Sequence, residues 1–275
     1  MTRVFIIGGA GQIGRRLSRI LSDNGHDVRA LCRKPEQETL LRQQGAEPVR
    51  GSLTELDEDA LAAYLTGSEV VVFTAGAGGK GGQEMTNAVD GEGLKTAVAA
   101  ALKARVSRFL LVSAFPEAAR GQSVSDTFEN YMRVKKMADV ALAQSALDWV
   151  ILRPGTLRDE PGTGLVHAGL AIPYGDVPRD DVAATLAEII EQPGVSRIII
   201  ELTAGEVPVR EAVQKMAGRE SEPPVAAGCN RAGGRPCPSP GAGQSRRQCH
   251  YRPHAKATSS VRCRRKKAYQ SPNQF

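Results

Sequence analysis

The first 21 residues contain the feature that most restricts the fold of this chain. A short apolar run, Val4-Phe5-Ile6-Ile7, breaks into the glycine segment Gly8-Gly9-Ala10-Gly11-Gln12-Ile13-Gly14. Apolar residues then recur at helical spacing, at Leu17, Ile20 and Leu21. The stretch therefore predicts a strand, a glycine turn and a helix, in that order.

This order of elements is typical of a turn that holds a pyrophosphate. We expect Gly9 to permit the tight turn, Gly11 to let the backbone approach the phosphates, and Gly14 to bring the helix close to the strand. The N–H groups at the start of the helix would face the anion. The expected dinucleotide contacts here are Gly8, Gly9, Gly11, Gln12, Ile13 and Gly14. An ordinary glycine turn is the alternative interpretation.

The rest of the first 218 residues alternates between predicted strands and helices. Further strands are predicted at 27–32, 47–50, 70–73, 108–113, 148–153 and 197–201. Helices are predicted at 35–44, 57–65, 92–104, 128–143, 180–191 and 209–217. This alternation predicts an α/β fold, a Rossmann-type doubly wound parallel sheet with helices on both faces.

The composition changes abruptly near residue 218. Residues 219–275 contain 12 Lys and Arg and two acidic residues, whereas residues 1–218 contain 24 and 28. We therefore predict an NAD(P)-binding domain at 1–218 and a basic, disordered tail at 219–275. The tail's cysteines and histidines have no CxxC spacing, which disfavours a zinc site, and no metal site is expected. Nucleic-acid contact through its basic runs is the less favoured alternative to an extension without function.

Three features favour a cytoplasmic protein that binds no membrane. No apolar run reaches the ~18 residues of a membrane helix. The apolar run at the N-terminus is too short and too broken by glycine for a secretory signal. Cys32 is the only cysteine of the predicted domain, so no disulfide framework supports the fold.

The end of the second predicted strand bears on coenzyme choice. A site for NAD is expected to place an acidic residue here, which accepts from the ribose 2′-hydroxyl. This chain has Arg33 and Lys34 instead, and two cations suit a 2′-phosphate. The alternative is a solvated pair at a strand end. We therefore expect NADP, with NAD remaining open.

Other small or polar residues fall at the carboxyl ends of predicted strands, where open parallel sheets bind ligands. These are Ser52 and Leu53 after the third strand, Ala75 and Gly76 after the fourth, Ser113 after the fifth, and Pro154 after the sixth. We expect all of them except Ser113 to contact the cofactor.

Tyr131 and Lys135 lie four residues apart on a predicted helix and so share one face of it. Such a pair is common on solvated helices, but this helix lies between two strands that end at the expected cleft. Tyr131 could supply a proton to a developing alkoxide if Lys135 and an oxidised nicotinamide lowered its pKa from ~10 toward neutrality. Ser113 could orient the carbonyl oxygen, and Lys135 could also hold the nicotinamide ribose.

Together these residues resemble the short-chain dehydrogenase/reductase superfamily. The glycine segment, Ser113, Tyr131-Met132-Arg133-Val134-Lys135 and Leu152-Arg153-Pro154-Gly155 are similar to its atypical, compact NAD(P)-binding members, the biliverdin/flavin reductase-like and NmrA-like proteins. The resemblance covers residues 1–217. It implies an oxidoreductase that transfers hydride to a small carbonyl or conjugated substrate, with Ser113, Tyr131 and Lys135 as the catalytic set.

Two alternatives to a reductase stay open. Some atypical relatives act as cofactor-sensing regulators, so a nonenzymatic NADP-binding redox sensor has the same sequence features. Sugar-nucleotide epimerases and dehydratases share the glycine turn and the Tyr/Lys pair, but they build a larger substrate domain after the Pro-Gly strand. A small-molecule substrate is the expected partner, and the sequence leaves the oligomeric state open.

Overall fold

The computed structural model describes residues 1–116, 118 and 123–217. The tail predicted at 219–275, with its possible nucleic-acid contact, lies outside these described residues. The domain boundary near residue 218 therefore stays a prediction. No described helix is both long and apolar enough to cross a membrane.

Seven parallel strands form the body of a nine-stranded sheet. They are β1 (Arg3–Ile7), β2 (Asp27–Cys32), β3 (Glu47–Arg50), β4 (Val70–Phe73), β5 (Arg108–Val112), β6 (Asp148–Pro154) and β10 (Ile198–Ala204). Their order across the sheet is β3-β2-β1-β4-β5-β6-β10. The chain therefore begins at the central strand β1, forms β2 and β3 on one side of it, and then forms β4, β5, β6 and β10 on the other. The predicted Rossmann-type α/β fold is confirmed. Its change of direction falls between β1 and β4, where ligands of such sheets bind.

Helices connect the strands and cover both faces of the sheet. They are α1 (Gln12–Asp23), α2 (Pro35–Gln43), α3 (Glu58–Leu65), α4 (Gly82–Thr86), α5 (Gly93–Lys103), α6 (Asp126–Ala143), α7 (Arg179–Glu191) and α8 (Val209–Ala217). A π-helical segment, Asn87–Glu92, joins α4 to α5. The predicted helix at 92–104 therefore begins ten residues earlier than its pattern indicated, at Gly82.

The sheet has an apolar core on each face because neighbouring side chains of a strand point in opposite directions. In β4, Val70 and Val72 belong to the core under α1 and α7, whereas Val71 and Phe73 belong to the core under α3 and α5. All four residues are buried. This is why the central strands are continuously apolar, as parallel strands covered on both faces require.

The segment after β6 contains short strands that the sequence pattern did not indicate. β7 (Thr156–Arg158) pairs with β9 (Asp176–Pro178) in a small parallel sheet. β8 (Leu165–Gly169) pairs antiparallel with β10 and with β11 (Val207–Pro208), and so closes one edge of the main sheet. This segment thereby brings β9 and the start of α7 next to the carboxyl end of β6.

Candidate functional site

The turn after β1 depends on Gly8 rather than on Gly9. Gly8 has φ +89°, a conformation that side-chain-bearing residues rarely adopt. A Cβ on Gly8 would lie 2.5 Å from the backbone nitrogen of Ala75 in the loop after β4. Gly9 has no positive φ, and a Cβ there would meet the Ala30 side chain at 2.5 Å. The expected role of Gly9 in the tight turn thus belongs to Gly8, and Gly9 instead allows close packing on β2.

Gly11 and Gly14 occupy the start of α1. Gly11 is the N-cap, with φ −72° and ψ 170°, and no side chain caps the helix. The first N–H groups of α1 therefore have no side-chain acceptor, which suits them to an anion. A Cβ on Gly14 would lie 2.6 Å from the carbonyl oxygen of Gly8, so only glycine lets the helix approach the turn this closely.

A cleft of about 380 Å³ runs over the carboxyl ends of β1, β2, β3 and β4. Its walls contain many of the residues expected to contact the cofactor, and they are Gly8, Gly11, Arg33, Ser52, Leu53, Ala75 and Gly76. Gln12 and Ile13 lie in the first turn of α1, beside these walls. Lys34 is exposed and pairs with Glu36, outside the described lining. The combination of a glycine turn, an uncapped helix start and an elongated cleft fits a dinucleotide.

The charges along this cleft are positive. Arg33 and Lys80 line it, and no carboxylate belongs to its described lining. Glu38 of α2 accepts hydrogen bonds from Arg50, which lower the pKa of its carboxyl. Glu38 is therefore engaged with arginine on β3, and the end of β2 presents Arg33 to a ligand.

A second pocket of about 280 Å³ lies at the carboxyl ends of β5 and β6. Its described lining is largely aromatic and apolar, and consists of Ser113, Ala114, Phe115, Ala118, Phe128, Tyr131, Met132, Pro154, Gly155, Leu157, Tyr174 and Arg179. Ser113 and Tyr131, which the sequence predicts to act together, thus face the same space. Pro154, expected to contact the cofactor, lines this pocket and not the cleft.

Tyr131 differs from the expectation in its acidity. Burial, together with the nearby carboxylates of Asp90 and Asp139, raises the pKa of its phenol to about 12. The prediction from the sequence was that Lys135 and an oxidised nicotinamide together could lower this pKa toward neutrality. In the structure the Lys135 ammonium pairs with a buried carboxylate.

That carboxylate belongs to Asp90, in the π-helical segment. Lys135 and Asp90 are buried, with 4% and 2% exposure, and Lys135 Nζ lies 3.5 Å from Asp90 Oδ1. Lys135 Nζ also donates to the Val112 carbonyl oxygen at 2.9 Å. The other carboxylate oxygen, Asp90 Oδ2, accepts from the Ala77 N–H at 2.9 Å. Asp90 therefore joins the loop that lines the cleft to the helix that carries Tyr131.

A second buried ion pair lies one helical turn further along α6. Asp139 Oδ2 accepts from Arg153 Nε at 2.9 Å, and Arg153 belongs to β6. Burial raises the pKa of the Asp139 carboxyl, while the Ser113 hydroxyl and the Arg153 guanidinium lower it. Asp139 Oδ1 and Ser113 Oγ are both buried, and neither has another hydrogen-bond partner among the described residues. Ser113 also lines the second pocket, so its hydroxyl can donate either to Asp139 or to a molecule in that pocket.

Sequence reasoning missed Asp90, Asp139, Arg153, Arg179 and Lys80. Asp139 had a readable signal, because it follows Lys135 by four residues and so shares its helix face. The other four residues are brought to the site only by the tertiary fold.

Comparison with known proteins identifies the family. A family model described as NAD(P)H-binding matches residues 8–193, which span the glycine turn, both pockets and the Tyr/Lys pair. The chain belongs to this NAD(P)H-binding family. Within it, the chain is an atypical short-chain dehydrogenase/reductase, as the resemblance in its sequence implied.

Several known proteins are similar to this chain along nearly their whole length. The uncharacterized sugar epimerase YhfK of Bacillus subtilis is 39% identical over 215 residues, which cover 78% of this chain and 100% of that protein. A provisionally named NAD-dependent epimerase/dehydratase from Bacillus halodurans superposes with a TM-score of 0.72 at 30% identity, over 78% of this chain and 100% of that one. The anaerobilin reductase ChuY of Escherichia coli O157:H7 superposes with a TM-score of 0.62 at 26% identity, over 74% and 97%. The proteins similar to this chain thus include some named as reductases and some named as epimerases.

Proposed function

We propose that this protein is an NADP(H)-dependent oxidoreductase that reduces a small carbonyl or conjugated substrate. The observation that carries the proposal is the connection between the two pockets. Asp90 bonds to Ala77 in the wall of the cleft and contacts Lys135, one turn along α6 from Tyr131 in the second pocket. A dinucleotide in the cleft and a substrate in the second pocket would therefore meet beside Tyr131 and Ser113.

The chain's own residues can supply what a carbonyl reduction needs apart from hydride. A bound nicotinamide coenzyme supplies the hydride. Ser113, whose side chain lines the second pocket, can donate from its hydroxyl to the substrate's carbonyl oxygen. Tyr131 Oη can deliver a proton to the same oxygen as it becomes an alkoxide. Lys135, held by Asp90, is buried outside the described linings of both pockets and provides a cation behind this site.

The acidity of Tyr131 favours the reductive direction. With a pKa of about 12 the phenol holds its proton at neutral pH. Only about one molecule in 10⁵ would carry the phenolate at pH 7. Alcohol oxidation needs that phenolate as a base, whereas carbonyl reduction needs the neutral phenol as an acid. The residue is therefore in the form that reduction requires.

The charges of the cleft favour NADP over NAD. Arg33 stands where an NAD site is expected to place a carboxylate, and a guanidinium matches the geometry of a phosphate. Lys80, across the cleft in the loop after β4, adds a second cation.

A coenzyme titration tests this proposal directly. We expect NADPH to bind more tightly than NADH. Arg33→Gln should lower the affinity for NADPH about 10- to 100-fold, which corresponds to the loss of a charged hydrogen bond, and should leave the affinity for NADH unchanged. Arg19→Gln is the matched control, because Arg19 is an exposed arginine of α1 outside the described lining of the cleft. Equal affinity for both coenzymes in the wild type would refute the NADP assignment. Binding of neither would refute the function.

A nonenzymatic NADP sensor is the second candidate, and one observation favours it. The Lys135 ammonium already pairs with Asp90 and donates to the Val112 carbonyl, so these contacts occupy the cation that a reductase of this type would direct toward its coenzyme. Tight NADPH binding without oxidation of the coenzyme by any aldehyde, ketone or enone tested would favour the sensor. Reduction of one such compound that is lost in Tyr131→Phe would favour the reductase.

The names of two relatives keep an epimerase or dehydratase as a third candidate. These reactions return the coenzyme to its starting state. If the protein converts a nucleotide sugar without net oxidation of the coenzyme, the epimerase or dehydratase assignment would replace the proposed reductase activity.

A further inference from the structure

The second pocket contains one charged group in an otherwise aromatic and apolar lining. Among its described lining residues only Arg179 is ionised at neutral pH. Phe115 and Tyr174 form one wall, with their rings edge to face at 5.3 Å. Phe128 and Tyr131 form another, with ring centroids 6.2 Å apart. Such a lining accommodates a flat, unsaturated ring and offers a single anchor for an anion.

The fold holds Arg179 in this position from two directions. Arg179 directly follows β9, and β9 pairs with β7, which begins two residues after the end of β6. A Cβ on Gly155 would lie 1.9 Å from the Gly175 carbonyl oxygen, so the chain before β7 and the chain before β9 are in close backbone contact. The position of Arg179 at the pocket is therefore fixed by backbone pairing and not by a flexible loop alone.

The guanidinium of Arg179 retains capacity for a ligand. Its side chain is 22% exposed, and Nη1 donates to Asp159 Oδ1 at 2.9 Å. Among the described residues this is its one side-chain hydrogen bond, whereas a guanidinium has five N–H donors in a planar fork. Asp159 is 66% exposed, so water can solvate its carboxylate if a ligand takes over the guanidinium.

We infer that the second pocket selects aromatic or conjugated substrates that bear a carboxylate, and that Arg179 binds that carboxylate. The inference rests on the proposed function, because it takes this pocket as the substrate site. Arg179 would bind the anion at one end of the ring, while Ser113 and Tyr131 would act on the carbonyl at the other. Asp159 would compete with the substrate for Arg179 and so weaken binding.

Binding can be tested apart from turnover with 2-naphthoate and its neutral analogue 2-naphthamide. Each would be titrated by calorimetry into the full-length protein saturated with NADP⁺. We expect 2-naphthoate to bind more tightly than 2-naphthamide. Arg179→Gln should lower the affinity for 2-naphthoate at least tenfold and change the affinity for 2-naphthamide less than twofold, as expected for loss of a charge-assisted hydrogen bond.

Two further variants separate anion binding from a structural role of Arg179. Arg158→Gln removes the same charge from a neighbouring exposed arginine that pairs with Asp176 outside the described lining, and it should leave both affinities unchanged. Asp159→Asn should tighten 2-naphthoate severalfold, because it removes the competing carboxylate. A merely structural ion pair would give no such gain.

The outcomes distinguish this inference from the proposed function. Equal affinity for the two probes, or equal weakening of both by Arg179→Gln, would overturn the carboxylate assignment, as would failure of both to bind. Reduction of 4-carboxybenzaldehyde by NADPH in preference to 4-formylbenzamide would support both statements. Binding that depends on Arg179, without reduction of any aldehyde, would refute the reductase and retain the anion site.

Discussion

The buried pair of Asp90 and Lys135 allows a quantitative test of how the site is held together. Asp90→Asn keeps the volume of the side chain and an oxygen that can accept from the Ala77 N–H. It removes the only carboxylate that forms an ion pair with Lys135 among the described residues. Because Lys135 is 4% exposed, water cannot replace the lost charge without a rearrangement.

The expected cost follows from this burial. Removing one partner of a buried ion pair costs about 3–5 kcal/mol, because the other charge is left uncompensated. We expect the lower end, about 3 kcal/mol, since Lys135 keeps the Val112 carbonyl as an acceptor. With an m-value of about 3 kcal/mol/M, the urea midpoint would fall by about 1 M.

A double-mutant cycle separates the pair from each residue's own packing. Lys135→Met alone should also cost about 3 kcal/mol, because it leaves a buried carboxylate unpaired. The double variant Asp90→Asn/Lys135→Met removes both charges of this pair and should cost only about 1 kcal/mol, for the unsatisfied Val112 carbonyl. Urea unfolding followed by circular dichroism measures all four proteins. If the two single losses simply add in the double variant, the ion pair does not hold the site together and the reasoning fails.

Two further predictions concern pH and packing. The rate of NADP⁺-dependent alcohol oxidation should rise about tenfold per pH unit from pH 7 to 10, because oxidation needs the Tyr131 phenolate and the pKa of Tyr131 is about 12. The rate of carbonyl reduction should stay constant over the same range. An oxidation rate that levels off near pH 7 would contradict this prediction. Gly155→Ala should destabilise the fold by about 1–3 kcal/mol, because its Cβ would clash with the Gly175 carbonyl. Thermal unfolding measures the loss, with Gly194→Ala as the control, since a Cβ on Gly194 would meet nothing closer than 3.6 Å. Equal stability of the two variants would show that the backbone relaxes to relieve the clash.

The sequence predicted the seven parallel strands well because their signals are local. The continuous apolar run of β4 and the alternating pattern of β2 each indicate a strand without reference to the rest of the chain. β8 lacks such a signal in its sequence, since the exposed residue Leu165 is apolar and the buried residue Gly169 has no side chain. β8 pairs with β10 only because the fold brings the two segments together, and the five residues of β8 contain no pattern that predicts this pairing.

The glycine turn illustrates a similar limit at the site. The spacing of glycines predicts a turn and a helix, but it does not say which glycine takes the positive φ. That depends on how closely the loop after β4 approaches, since Ala75 leaves no room for a Cβ on Gly8. Likewise, the Tyr131/Lys135 pair can be recognised in the sequence, but the pKa of Tyr131 depends on its burial and on Asp90, which lies more than 40 residues earlier in the chain.

The residues on the buried face of α6 explain why the site is difficult to predict from the sequence, and they also explain how the site is organised. Tyr131, Lys135 and Asp139 follow one another at intervals of four, the spacing that apolar residues have on a helix packed against a sheet. Lys135 bonds to the end of β5 and Asp139 to Arg153 of β6, so the helix is attached to the sheet by charges as well as by apolar contacts. Buried charges must be paired, and pairing fixes their geometry more narrowly than apolar packing does. The position of the Tyr131 hydroxyl is therefore set by two ion pairs below it, and loosening either pair should reduce catalysis before it unfolds the protein.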